Sequence, residues 1–262
     1  MKKSIFCVSV IIAMGCNSSK VETPNMPGTY FMSYQILDDG KNETKYTDLK
    51  QLKIYTDDYF MYVQVNPKDS VSAFGVGSYT TDTATVMEHV MFSASDSNTS
   101  STPATYNLHI TKTPDGYQQV IPEIVSNSIK YKLTELYENS GTATTSPLDG
   151  IWRELKSYTL EGSDTIKNNR IQYKAFYKGY FMFGHSFKNN TGKNHTGIGF
   201  GTFKTISDTK IQETDLNSTY SVIAGQTFDI DIKMDGNDKF MQVIIYADGS
   251  RGVEFYERIK KP

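Results

Sequence analysis

The sequence has few of the residues that build disulfide frameworks, metal sites and membrane-spanning helices. Its 262 residues include two cysteines, four histidines and one tryptophan. No apolar run reaches the roughly 18 residues that a transmembrane helix needs. The formal net charge of −2 argues against nucleic-acid binding, which requires a basic face. With 38% hydrophobic and 21% charged residues, the composition excludes a disordered chain and fits two domains or one large one.

The N-terminus has the pattern of a bacterial lipoprotein leader. An apolar run at residues 4–13 is too short to cross a bilayer and has the length of a signal-peptide core. The next tetrad, Ala13-Met14-Gly15-Cys16, resembles a lipobox, which implies a signal peptide at residues 1–15 and a diacylglycerol on Cys16. Residues 16–27 are polar and contain two prolines, as in a tether. The alternative is an ordinary secretory signal with a chance cysteine.

The rest of the chain matches itself at a shift of about 122 residues, which predicts a tandem duplication. Residues 53–62 match residues 174–183, and a Gly-x-Gly that ends on Tyr79 recurs before Phe203. The same alignment places Leu136 opposite Arg258. A polar segment at 139–147 separates the repeats, so we expect one domain at residues 28–138 and a second at residues 148–262.

Hydrophobicity alternates with a period of two residues in both repeats, and no segment has convincing helical periodicity. The pattern predicts eight strands in each repeat, at 28–37, 49–55, 59–65, 71–79, 86–93, 105–112, 117–125 and 129–137, and at 150–160, 171–176, 180–187, 196–205, 209–216, 227–234, 239–246 and 252–259. Eight short antiparallel strands fit a closed barrel. A two-sheet β-sandwich would show the same alternation and stays open as the alternative.

A Gly-x-Trp on the first strand and an arginine at the end of the last strand resemble the lipocalin superfamily. The second repeat has Gly150-Ile151-Trp152 and Arg258, whereas the first has Tyr30 and, in the alignment, Leu136. The resemblance implies that Trp152, or Tyr30 in the first repeat, closes the barrel floor and that Arg258 packs across the indole. It predicts two tandem lipocalin-like β-barrels.

Gly75-x-Gly77-x-Tyr79, followed by a strand with Glu88-His89, is similar to lipocalin-like domains of Bacteroidota lipoproteins. This resemblance implies a fold more than an activity, and it implies an outer-membrane lipoprotein that faces either the periplasm or the outside. Glycines that alternate within a strand mark a bend, a bulge or the close approach of an aromatic ring.

Two glutamates are the strongest candidates for chemistry, because Glu88 and Glu213 occupy the same position in the two repeats. Glu88 alternates with Val86, Val90 and Phe92, which predicts a carboxylate on an apolar face. Such a group could orient the hydroxyl or amine of a ligand. We therefore expect ligand-binding residues at Tyr79, Glu88, Phe203 and Glu213. The alternative is a structural glutamate bonded to tyrosine or backbone groups.

The sequence predicts a binding protein rather than an enzyme. The four histidines lack metal-ligand spacing, and no nucleophile elbow or Ser-His-Asp set is visible, so we expect no metal and no cofactor. The leading hypothesis is a lipid-anchored envelope protein whose barrels hold small apolar or amphipathic ligands. The alternative is a non-enzymatic scaffold or a carbohydrate- or protein-binding module with barrels filled by their own side chains, such as Tyr55, Phe60, Tyr62, Tyr79 and Phe92.

Overall fold

The computed structural model describes residues 23–68, 71–96, 98–126 and 128–260. The predicted leader and the candidate lipidation residue Cys16 lie outside these residues. Within them, the regular secondary structure is entirely β, and no helix is long and apolar enough to cross a membrane. The prediction of an all-β protein is confirmed.

The first repeat is a closed antiparallel barrel. Eight strands form its wall, and β10 pairs with β1 to close it. Two short strands lie outside this wall. β2 pairs with β1, and β7 pairs with β6. The strands are β1 (Gly28–Asp38), β2 (Glu43–Tyr46), β3 (Lys50–Tyr55), β4 (Tyr59–Val65), β5 (Ser72–Asp82), β6 (Thr85–Ser95), β7 (Thr99–Ser100), β8 (Ala104–Thr113), β9 (Gly116–Ser126) and β10 (Ile129–Asn139).

The second repeat forms the same barrel, closed by the pairing of β11 with β19. One short strand, β12, pairs with β11 outside the eight-stranded wall. The strands are β11 (Gly150–Glu161), β12 (Asp164–Lys167), β13 (Ile171–Tyr177), β14 (Tyr180–Lys188), β15 (Asn194–Ser207), β16 (Lys210–Ser218), β17 (Thr227–Asp235), β18 (Lys239–Ile245) and β19 (Arg251–Arg258). Closure of both sheets confirms barrels and excludes sandwiches, because a closed sheet has no free edge.

A β-bulge in each barrel changes which side chains face inward. The register of β6 shifts opposite Val76 and Gly77, and that of β16 shifts opposite Gly201. One extra residue reverses the in–out alternation beyond it. The prediction that Phe92 fills the first barrel is therefore wrong, because Phe92 lies on the outer wall.

The two barrels pack against each other through their outer walls. The shared apolar cluster takes Met61 and Val76 from the first barrel and their repeat equivalents, Met182 and Phe200, from the second. At its edge, the backbone N–H of Thr196 donates to Asp96 Oδ1 over 2.9 Å. Each repeat thus uses the same face, as the two halves of a symmetric dimer do.

Candidate functional site

The interior of each barrel contains the same six polar residues at matching positions, all of them buried. They lie on matching strands of the two barrels, β3, β6, β9 and β10 in the first and β13, β16, β18 and β19 in the second. The pairs are Gln51 and Gln172, Lys53 and Lys174, Glu88 and Glu213, Gln119 and Gln242, Glu135 and Glu254, and Tyr137 and Tyr256. We call each set the polar core of its barrel. A closed interior isolates these groups from water, so each needs a partner within the barrel.

In the first barrel, the polar core is joined into one network. Lys53 Nζ lies 2.7 Å from Glu88 Oε1 and donates to Gln119 Oε1 over 3.3 Å. The Gln119 amide and the Tyr137 hydroxyl both donate to Glu135. Tyr55 also donates to Glu88, so this carboxylate has both a cation and a hydroxyl as partners.

In the second barrel, the same ion pair lacks the hydroxyl. Lys174 Nζ lies 2.6 Å from Glu213 Oε1 and donates to Gln242 Oε1 over 3.2 Å. Phe176 replaces Tyr55 at the matching position, and a phenyl ring has no hydroxyl to donate. Burial raises the pKa of Glu213, and the attraction of Lys174 opposes that rise. The carboxylate is therefore less fully satisfied than Glu88.

A cavity of about 520 Å³ lies in the second barrel, towards the end opposite Trp152. Its wall combines the polar core with aromatic and aliphatic side chains. The lining residues are Lys167, Asn168, Asn169, Arg170, Gln172, Lys174, Phe183, His185, Phe187, Glu213, Asp215, Tyr220, Val222, Ile223, Phe228, Ile230, Gln242, Ile244, Tyr246, Glu254 and Tyr256. A wall that is mostly apolar and has polar groups in the barrel interior suits a small amphipathic molecule.

Asp215 is the cavity-lining group that is least satisfied. Its side chain is 3% exposed, and among the described residues no donor reaches its Oδ1 atom. Burial and the nearby Glu213 carboxylate raise the pKa of Asp215 to about 7, against the attraction of Lys174. The space beside it depends on Gly199, where a Cβ would lie 3.0 Å from Asp215 Oδ1 and would collide with Phe183.

The second barrel also has an ion-pair cluster around Arg170 that the first barrel lacks. The Arg170 guanidinium lies 2.8 Å from Glu154 and 2.6 Å from Glu254. Burial would raise the pKa of Glu254, but Arg170 and Lys174 outweigh it and hold that pKa below its usual value. The first barrel has Met32 and Leu49 at the positions of Glu154 and Arg170.

His185 holds a loop over the cavity. Its Nε2 atom lies 2.5 Å from the Tyr220 hydroxyl, and its Nδ1 atom lies 3.0 Å from Gln172 Oε1. Burial, helped by Arg170, lowers the pKa of His185 to about 3. The ring is therefore neutral at physiological pH, and it exchanges hydrogen bonds rather than charge with these partners.

The sequence-predicted ligand residues do not form a single site. Glu213 lines the cavity, whereas Glu88 lies in the saturated network of the first barrel. The Tyr79 hydroxyl donates to the Thr56 carbonyl over 2.7 Å. Phe203 packs on Phe176, with ring centroids 4.9 Å apart, and does not line the cavity.

The floor of the second barrel has the predicted contact between ring and cation. The Arg258 guanidinium carbon lies 4.1 Å from the centre of the Trp152 ring, and Trp152 Nε1 donates to the Leu148 carbonyl. In the first barrel, the Tyr30 hydroxyl likewise donates to a backbone carbonyl four residues earlier. The alignment of Arg258 with Leu136 is wrong, because the residue paired with Tyr30 is Asn139.

The cavity residues that the sequence analysis missed include members of the polar core that both repeats share, such as Lys174 and Glu254, and residues that differ between the repeats. At the shift that aligns Glu88 with Glu213, Asp215 aligns with Val90, and both residues lie before the bulge of their strand. An aspartate in place of an inward valine was therefore a visible signal. Glu154 and Arg170 carry a similar signal, since both replace apolar residues.

Comparison with protein-family models and with curated proteins finds no match to this chain. The two closed eight-stranded antiparallel barrels nevertheless fit a lipocalin-like fold. In the described residues, no group of three His, Cys, Asp or Glu side chains is arranged to hold a metal ion. The functional argument therefore depends on the cavity itself.

Proposed function

We propose that this protein is a lipid-anchored envelope lipoprotein of the Bacteroidota type, and that its second barrel binds a small amphipathic molecule. The observation that carries the proposal is the cavity of about 520 Å³, which combines an apolar wall with the unsatisfied Asp215. Its volume falls within the roughly 300–1,000 Å³ of typical small-molecule sites. The lipobox-like tetrad ending in Cys16 supports the anchor.

The first barrel has a structural role in this proposal. Its interior is packed with aromatic rings, including a stacked Tyr117–Tyr137 pair at 5.0 Å and a Tyr55–Tyr79 contact at 4.9 Å. Tyrosine hydroxyls satisfy its buried carboxylates. In this proposal, the filled-barrel scaffold that the sequence left open as an alternative applies to the first repeat, and the binding hypothesis applies to the second.

Chemistry on the ligand is not part of the proposal. The buried charges of the second barrel are engaged in ion pairs, with Lys174 beside Glu213 and Arg170 beside Glu154 and Glu254. Such pairs order a cavity and orient a bound molecule. They support a carrier or sensor of a small molecule at the cell envelope.

The test is a calorimetric titration of the lipid-free mature chain (residues 16–262, Cys16→Ser) with decanol as the probe. We expect one molecule to bind, and we expect Ile244→Trp to abolish binding because Ile244 lines the cavity. Ile245→Trp is the matched control, since Ile245 is 55% exposed on the outer wall. Absence of binding, or equal binding by both variants, would overturn the proposal.

A further inference from the structure

Building on the proposed binding function, we infer that the second barrel selects an amphipathic amine. Its ammonium group would be held by the Asp215 carboxylate, and its apolar body would lie against Phe183, Phe187 and Phe228, which line the same cavity. The inference rests on the arrangement of charges around the cavity.

The buried charges of this barrel are short of cations. Two cationic side chains, the buried Lys174 and the mostly buried Arg170, face four carboxylates, namely Glu154, Glu213, Asp215 and Glu254. Lys167 also reaches the cavity, but it is exposed at the rim, where solvent and salt screen its charge. A bound cation would correct this imbalance, whereas a bound anion would increase it.

Both buried cations are already committed to partners. Arg170 is shared between Glu154 and Glu254, and Lys174 between Glu213 and the Gln242 carbonyl. An anionic head group would have to displace one of these carboxylates, and that would leave a buried charge unpaired. Asp215 Oδ1 has no donor among the described residues and faces the cavity, so it can accept an N–H bond without any displacement.

The barrel fold itself does not need this carboxylate. The first barrel forms the same closed sheet with Val90 at the matching position. A buried carboxylate oxygen without a donor lowers stability. Two aromatic residues that line the cavity, Phe183 and Tyr220, add ring faces that attract a cation. The Asp215 carboxylate therefore lowers the stability of the fold, and a cationic ligand would offset that loss.

The experiment compares three probes that share a ten-carbon chain, namely decylamine, decanol and decanoate. Each is titrated into the lipid-free mature chain at pH 7.5 and followed by calorimetry. A charge-assisted hydrogen bond is worth about 1.5–3 kcal/mol, which corresponds to about 10- to 100-fold in affinity. We expect decylamine to bind at least about 10-fold more tightly than decanol. We expect decanoate to bind the most weakly of the three.

The decisive variants are Asp215→Asn and Asp215→Val, the latter introducing the residue of the first barrel. Both should remove the preference, so that decylamine and decanol bind each variant with similar affinity. Asp229→Asn, on the outer face of β17, is the matched control and should retain the preference. Decyltrimethylammonium separates charge from N–H donation, since it keeps the charge and has no N–H.

The outcomes separate this inference from the function on which it rests. If decanol binds but decylamine binds no more tightly, or if Asp215→Asn leaves the preference intact, selection of amines is wrong and the binding function stands. If none of the probes binds, both are wrong.

Discussion

The two barrels share a floor and a polar core and differ in the half above that core. The shared half includes the Lys–Glu–Gln network and an aromatic ring that bonds back to the chain four residues earlier. In the other half, Met32 and Val90 of the first barrel correspond to Glu154 and Asp215 of the second. Because both barrels have the polar core, we attribute it to folding, and the charged half found only in the second barrel is where we propose that the ligand binds.

The same comparison explains the distribution of tyrosine. Several inward positions that are tyrosine in the first barrel are phenylalanine in the second, as at Tyr55 and Phe176, or Tyr117 and Phe240. Tyr55 donates to Glu88, whereas Phe176 has no hydroxyl to donate to Glu213. In the second barrel, Asp215 Oδ1 has no donor among the described residues.

The largest expected effect comes from breaking the polar core. Lys174→Met leaves Glu213 as an unpaired buried charge and should lower the free energy of unfolding by about 3–5 kcal/mol. Lys53→Met should cost less, because Tyr55 still donates to Glu88. Urea unfolding followed by circular dichroism measures both, with the exposed Lys204→Met as control. Equal losses for Lys174→Met and Lys53→Met would show that the Tyr55 hydroxyl does not compensate for the missing lysine.

The next effect concerns the pH dependence that Asp215 imposes. Its pKa is about 7 in the folded chain against 3.8 as the ordinary value. The folded state therefore binds the proton more tightly, and the free energy of unfolding falls as pH rises from about 4 to about 7. Between pH 5 and pH 8 the free energy of unfolding falls by about 2–3 kcal/mol. The reason is that stability changes by about 1.4 kcal/mol for each pH unit that lies between the two pKa values.

Asp215→Asn should remove this dependence. The variant is expected to be more stable than the parent at pH 8, with a smaller gain at pH 5. Glu154, Glu213, Glu254, Arg170, Lys174 and His185, which share the interior, are present in both proteins, so the difference between the two urea unfolding curves isolates Asp215. A gap that does not change with pH would mean that this carboxylate stays ionised throughout.

A smaller effect tests whether the second barrel has more free interior space than the first. Ile121→Trp overfills the first barrel, where Ile121 pairs with Leu133, and should cost about 1–3 kcal/mol. Ile244→Trp should be tolerated, because its partner is Gly252 and its side chain borders the cavity. Thermal unfolding of the two variants decides this. A larger loss for Ile244→Trp would contradict a filled first barrel.

Much of this fold could be predicted from the sequence, because alternation reports directly on which face is buried. The eight strands per repeat and the common position of Glu88 and Glu213 came from that pattern. Two errors arose where this regularity fails. The bulge in β6 turned Phe92 outward, and a change in the shift between the repeats at the last strand led to the alignment of Arg258 with Leu136.

The contact between the barrels was also beyond the sequence pattern. The strands in the contact bury both faces, one in the barrel and one against the other barrel, as at Phe60 and Met61 of β4. A continuous apolar run predicts burial on both sides, but it does not say what covers the outer side. The outer face became interpretable once the repeat equivalents Met61 and Met182 were found in one cluster.

The smallest effect that we predict concerns the closing pair at the barrel floor. The Trp152 ring and the Arg258 guanidinium, 4.1 Å apart, stack at a half-buried site where such a contact is worth about 0.5–2 kcal/mol. Trp152→Tyr and Arg258→Asn introduce the residues that the first barrel uses, Tyr30 and Asn139. Arg258→Asn also removes hydrogen bonds to the carbonyls of Pro147 and Asn237.

Because the two side chains share one contact, the double variant should lose less stability than the sum of the two single variants. The measurement is a double-mutant cycle on the full chain by urea unfolding, followed by circular dichroism because two of the variants lack the only tryptophan. Losses that add within about 0.5 kcal/mol would mean that the indole and the guanidinium act independently. A shortfall would show that the two positions are coupled, as expected if the first barrel forms a complete alternative pair from a smaller ring and an uncharged partner.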